Sequence, residues 1–132
     1  GVGLFVPALA RAVRGKVFSV DYSPAATAGD QPGLQDFDVQ VKSAKVEHVA
    51  AQLPKPGAVV LDPPRTGAGE DVIRSTAAAA PQAVIHVGCD PATFARDLAY
   101  WNQYGYRAEN LALINAFPGT HHFETIALIV PA

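Results

Sequence analysis

The sequence predicts an α/β domain built on a mostly parallel sheet with an antiparallel last strand. Three observations carry that prediction. Short apolar runs alternate with segments of helical periodicity, the pattern of strand and helix units that build a parallel sheet. The runs "AVVLD" (58–62) and "AVIHVG" (83–88) are dominated by apolar residues rather than alternating, as expected of strands covered on both faces. The runs "ENLALINA" and "ETIALIV" near the end have no helix between them, so they are expected to pair antiparallel.

Residues 1–15, "GVGLFVPALARAVRG", read as a loop running into a helix, with Leu4, Phe5, Ala8, Leu9 and Ala12 on one face. Pro7 is tolerated in a first turn, and Gly15 is the expected stop. Residues 16–21, "KVFSVD", form a strand ending in an acid, while residues 24–33 are rich in Ala, Gly and Pro and read as a poor helix or a loop. "FDVQVKSA" (37–44) alternates apolar and polar residues, which suits a strand near the sheet edge. Residues 45–53 read as a short helix. Residues 57–69 read as a buried strand followed by a loop too rich in Pro and Gly to be regular. Residues 70–80 form a helix and 82–90 a second apolar strand. Residues 91–105 form a helix with Phe94, Leu98 and Trp101 on one face, closed by Gly105. Strands within 107–120 and 122–132 complete the chain.

The 132 residues suit one domain with one core. An apolar fraction of 49% with 17% charged residues is the balance of a folded domain rather than a disordered one. No apolar run approaches the roughly 20 residues of a membrane-spanning helix, and the first residues lack a signal-peptide layout. A single cysteine makes no intrachain disulfide, which is compatible with a reducing, cytoplasmic location. The formal net charge of −2 gives no general attraction to phosphate backbones, so any RNA contact needs a local basic patch or a part outside this chain. The absence of methionine, with an opening inside a glycine-rich turn, leads us to expect a chain truncated at its N-terminus.

Asp21, Asp62 and Cys89 fall at the carboxyl ends of predicted strands, the rim where such sheets bind ligands. Gly1 and Gly3 precede a helix, where glycines admit a ligand close to the backbone or simply make a turn. Asp21 stands where an acid accepts hydrogen bonds from ribose hydroxyls, or where a helix is capped. In "DPPR" (62–65) two prolines fix the backbone behind the Asp62 carboxylate. This arrangement suits recognition of a planar, donor-bearing base, or an ordinary strand-ending turn. Arg65 pairs with a phosphate or with a neighbouring acid. In "GCDPATFARDL" Asp90 is a good helix cap and Pro91 a good first residue. Cys89 thus precedes a helix N-terminus, which favours a thiolate, whereas the adjacent Asp90 opposes one and a lone cysteine is often inert. Glu124 enters the last strand among apolar neighbours, either solvated or as a base of raised pKa. His121 and His122 are too close in sequence to suggest a metal pair, His48 and His86 read as structural, and no Cys/His cluster has zinc spacing, so no metal is expected.

In order, "GVGLF", "DPPRTG", "CDPATFARDL" and "FPGTHHFE" resemble the S-adenosylmethionine-dependent RNA uracil-5-methyltransferase family, from residue 1 to about 124. The resemblance implies a class I, Rossmann-like methyltransferase fold with its first strand and RNA-binding module outside this chain. The missing strand leaves sheet edges through which the chain can associate. It implies S-adenosyl-L-methionine as cofactor, held by Gly1, Gly3 and Asp21, with Asp62 near both the methyl donor and the target uracil. Cys89 matches the nucleophile and Glu124 the general base, and ribosomal or transfer RNA is the implied partner. The family usually carries Asn where this chain has Asp90, and the Asn-rich stretch expected between residues 21 and 57 is absent. Two other readings remain at this level. One is an amino-methyltransferase using "DPPR" on an exocyclic amine, although Arg65 occupies the place of the usual stacking aromatic. The other is a degenerate domain serving only for binding.

Overall fold

The computed structural model of the protein describes residues 5–22, 38–115, 118–120 and 123–132. The chain divides into two compact units, Gly1–Leu53 and Pro54–Ala132, each with a buried apolar cluster.

In the first unit α1 (Val6–Ala12) begins with Pro7 in its first turn, where the missing N–H costs nothing. It buries Val6 and Ala10 against Val17. The helix stops at Ala12 because Val13 is already extended (φ −107°, ψ 148°). Gly15 does not end it, and a β-branched residue, poorly suited to helix, does. β1 (Val17–Asp21) pairs in parallel with β2 (Val39–Ser43), from Val17 opposite Val39 to Asp21 opposite Ser43. β2 is largely exposed, as its alternating sequence predicts. α2 (Val46–Val49) continues into a single 3-10 turn, Ala50–Gln52. The loop or helix expected over residues 24–33 lies outside the described residues.

The second unit runs β3 (Ala58–Leu61), α3 (Gly69–Ala78), β4 (Ala83–Gly88), α4 (Pro91–Gln103), β5 (Tyr106–Ile114) and β6 (Glu124–Pro131). The sheet order is β3-β4-β6-β5. β3 and β4 are parallel, with α3 as the crossover between them, and β6 is antiparallel to both β4 and β5. β3, β4 and β5 therefore run one way and β6 against them, as the missing helix between the last two strands predicts.

Alternation decides what each strand buries. Val84 lies opposite Ile129, and His86 lies between Leu61 and Ala127 in the ladder. These residues share one face, and α3 and α4 cover it with Ile73, Phe94 and Trp101. Tyr106 joins this cluster and donates its hydroxyl to the Pro81 carbonyl at 2.9 Å. Within this unit the helices cover only that face. The opposite face carries Val60, Ile85, Ile126 and Leu128, all half-buried. The apolar runs thus overstate the burial: β3 is exposed or half-buried along its length, since it has one neighbour in this sheet. The outermost strand, β5, leaves Leu111, Leu113 and Ile114 exposed.

Gly88 lies where Phe94 of α4 crosses β4, and a Cβ there would overlap the Phe94 ring. Glycine is thus required by close approach rather than by a turn. Gly88→Ala should therefore lower stability by about 1–3 kcal/mol, the usual cost of overpacking a core. Urea denaturation of the protein measures this, and an unchanged midpoint would show that Phe94 moves aside freely.

Candidate functional site

The parallel strands end on one rim, and Asp62, Arg65, Cys89 and Glu124 lie there. Asp62 follows Leu61, the last residue of β3, which pairs with His86. Cys89 follows Gly88, the last residue of β4. Gly88 is opposite Thr125 in the antiparallel pair with β6. Cys89 and Glu124 thus each adjoin this last ladder pair, Cys89 one residue past the end of β4 and Glu124 as the first residue of β6. Glu124 is in turn paired with Ile114 of β5. Cys89 and Glu124 are half-buried rather than sealed in the core, and Asp62 and Arg65 are exposed. Asp21 ends β1 in the first unit and is half-buried. Gly1, Gly3, His121 and His122 lie outside the described residues.

The start of α4 is built as its sequence demands. Asp90 is extended (φ −117°, ψ 120°) and its carboxylate accepts from the Thr93 amide at 2.9 Å, with Pro91 in the first turn. The Thr93 amide holds the Asp90 carboxyl below the usual carboxylate range. Asp90 is thus an ionised cap beside Cys89, its charge directed at the helix end.

Three side chains of α4 grip the loop between β3 and α3. The Thr93 hydroxyl donates to the Arg65 carbonyl at 2.9 Å. The Arg96 guanidinium donates to the Thr66 carbonyl at 2.8 Å and to Asp97 at 2.9 Å. Asp97, with no solvent exposure, accepts from the amides of Ala68 at 2.6 Å and Gly69 at 3.3 Å. It thereby caps α3, whose own N-cap residue, Ala68, has no side chain for the task. Gly67 lies so close that a Cβ would stand 2.5 Å from Arg96 and 2.7 Å from Asp97.

Behind Asp97 the core holds a second polar group. Trp101 donates its indole N–H to His86 Nδ1 at 2.9 Å. An accepting Nδ1 places the proton of the neutral ring on Nε2. That atom has no close hydrogen-bond partner and faces Asp97 Oδ2 at 3.5 Å. Phe94 meets the same imidazole edge-on, with ring centroids 5.4 Å apart.

Sequence reasoning missed Arg96 and Asp97, and took His86 as structural without its partners. A signal existed. Asp97 is three residues after Phe94 and four before Trp101, on the apolar face of a helix. A carboxylate there must be buried and paired.

Asp21 ends β1 in the first unit and Asp62 follows β3 in the second, and a carboxylate at the carboxyl end of a parallel strand has the chemistry to accept from ribose hydroxyls. Among the described residues no group of His, Cys, Asp and Glu is placed to hold a metal ion. No helix among them is long and apolar enough to cross a membrane.

Comparison with known proteins agrees with this architecture. The chain has the α/β fold of class I methyltransferases. It superimposes with a TM-score of 0.72 on an rRNA methylase from Streptococcus thermophilus, at 14% identity over 99% of this chain and 81% of the other. It also superimposes on the Pyrococcus abyssi tRNA (uracil-54, C5)-methyltransferase, solved with S-adenosyl-L-homocysteine. There the TM-score is 0.81 and the identity 27%, over 98% of this chain and 32% of the other. The family profile described as tRNA (Uracil-5-)-methyltransferase matches residues 42–130, and the chain belongs to that family. Similar curated proteins include an uncharacterized RNA methyltransferase of Corynebacterium glutamicum, 54% identical over 98% of this chain and 32% of the relative. Another, from Streptomyces coelicolor, is 39% identical over 100% of this chain and 30% of the relative. The chain spans about a third of the length of these relatives.

The His86 site generates a pH dependence. Burial pushes the imidazole below its ordinary value, and Asp97 opposes this more weakly. The folded state therefore prefers the neutral ring, and the unfolded chain binds more protons below about pH 6.5. The contribution of His86 to stability is complete above that value and is lost as pH falls toward the depressed folded pKa. His86→Gln, which keeps an acceptor for Trp101 but does not titrate, should show a shallower loss of unfolding free energy between about pH 7 and pH 5. Urea titrations across that range check this; equal slopes in the two proteins would remove His86 as the cause.

Proposed function

We propose that this chain is the catalytic portion of a longer enzyme that methylates carbon 5 of uridine in transfer or ribosomal RNA, with S-adenosyl-L-methionine as cofactor. The observation that carries the reading is the strand register, which pairs Gly88, the residue before half-buried Cys89, with Thr125, the residue after half-buried Glu124, on the rim of the sheet. Family membership and the likeness to the Pyrococcus abyssi tRNA (uracil-54, C5)-methyltransferase support it.

Carbon 5 of uracil is a weak nucleophile. The Cys89 thiolate adds to carbon 6, and the ring electrons shift to an enolate that is nucleophilic at carbon 5. When bound, S-adenosyl-L-methionine supplies a sulfonium methyl group to that carbon. Glu124 then takes the proton from carbon 5, the double bond re-forms, and Cys89 leaves as thiolate. Asp62, on its proline-fixed loop, accepts hydrogen bonds from the extruded base, and Arg65 beside it pairs with RNA phosphate. Gly1, Gly3, Asp21 and Asp62 are the residues that would hold the cofactor. One thiol and one carboxylate suffice for this sequence of bonds. The isolated 132 residues should give little methyl transfer to RNA, since they are a third of the length of their relatives.

RNA bearing 5-fluorouridine tests the reading, because fluorine cannot leave carbon 5 as a cation. The full-length protein with cofactor should stall as a covalent adduct that is absent in Cys89→Ala. Glu124→Gln should slow turnover by about a hundred- to ten-thousandfold and accumulate a methylated adduct on ordinary RNA. Undiminished methylation by Cys89→Ala would sink the proposal and favour transfer to an exocyclic amine.

A further inference from the structure

We propose that Thr93, Arg96 and Asp97 form a clasp that sets the position of the Asp62–Arg65 loop relative to Cys89, with Asp97 as its principal positioning residue. The inference rests on the roles given above to Cys89 and Asp62. It goes beyond them by assigning a task to residues that the proposed chemistry does not use.

The loop supplies few restraints of its own. Pro63 and Pro64 have no N–H to donate, and its internal backbone bond is the tight turn from the Gly67 amide to the Pro64 carbonyl, 2.8 Å. Four further backbone groups are met from α4: the Arg65 carbonyl by Thr93, the Thr66 carbonyl by Arg96, and the amides of Ala68 and Gly69 by Asp97. All three side chains stand in the first two turns of the helix that follows Cys89 and Asp90. The grip on the carboxylate loop thus comes from the helix that begins two residues after the thiol.

The choice of Asp97 favours positioning over stability alone. Burying a carboxylate has a desolvation penalty that an apolar side chain of similar size avoids. At full burial Asp97 gathers donors from two amides and from Arg96, and the His86 Nε2 proton faces it from the core. Arg96 is 42% exposed, and the one nitrogen that bridges Asp97 and the Thr66 carbonyl ties the buried anion to the outer run of the loop. Any shift of the backbone from Arg65 to Gly69, the stretch to which Asp62 is joined by two prolines, must break a bond to this helix.

The test uses the full-length protein, cofactor and 5-fluorouridine RNA, and reads the rate of adduct formation against RNA concentration. Thr93→Val removes one hydroxyl at a half-buried site. It should lower the maximal rate by about tenfold, within the range expected for a small misplacement of reacting groups. The RNA concentration at half-maximal rate should stay within about twofold. Thr93→Ser, which restores the hydroxyl, should recover the rate. Asp97→Asn should act in the same direction and more strongly; if it fails to fold by circular dichroism, the Thr93 pair decides. The losses from Thr93→Val and Asp62→Ala should be non-additive, because one acts through the other. Wild-type rates in folded Thr93→Val and Asp97→Asn, equal losses in Thr93→Val and Thr93→Ser, or strict additivity with Asp62→Ala would each overturn the clasp while leaving the chemistry standing. No adduct from the wild-type protein would overturn the underlying reading, and the clasp with it.

Discussion

The Asp97 carboxylate is the point to which the rim of the four-stranded sheet is referred. An anion with no solvent exposure persists only where donors replace its water. Here the donors are the amides of Ala68 and Gly69 and the Arg96 guanidinium. Those amides open α3, so one side chain ends the irregular loop, caps the next helix and joins both to α4. Apolar packing has no direction and would let the loop slide over the helix. Hydrogen bonds to four separate backbone groups do not. His86 and Trp101 extend the arrangement inward by giving the core a polar seam whose partners are fixed by direction as well as by contact.

The second constraint comes from topology. A parallel strand ends on the same rim as its neighbour, so β3 and β4 deliver Asp62 and Cys89 together. β6 runs the other way, so the same rim receives its first residue, Glu124, rather than its last. Because β6 inserts between β4 and β5, a residue far along the chain comes to the end of β4 that precedes the cysteine. The proposed base therefore rests on a backbone ladder and the proposed nucleophile directly follows one, the placement that precise chemistry favours.

Much of this was legible in the sequence, for identifiable reasons. The Asp90-Pro91 start of α4 and the Gly105 stop follow from local rules, and both appear where the residues predict them. The antiparallel last pair follows from the missing helix. Burial was less legible. "AVVL" is apolar along its length, yet β3 has a single neighbour in its sheet and stays half-exposed, because composition reports what a strand can bury and not which neighbours it has. Gly15 shows the limit of reading a glycine as a stop when a β-branched residue, Val13, ends the helix first. The clasp was hidden by its own composition. "ARDL" looks like a solvated helix surface, and only the spacing of Asp97 from Phe94 and Trp101 shows that one of its two charges points inward while the other bridges to the surface.

That division of labour between Arg96 and Asp97 explains why the pair is not replaceable by two apolar residues. Leucine at position 97 would fill the space and avoid desolvating a charge. It would also leave the Ala68 and Gly69 amides without an acceptor at the start of α3, where no side chain of the helix itself caps them. The two prolines before them have no N–H with which to bond the loop to itself. The loop would then have to move to find other partners, and Asp62 would move with it. A buried anion of modest benefit to stability is retained, on this argument, because the geometry of the rim depends on where its two oxygens point.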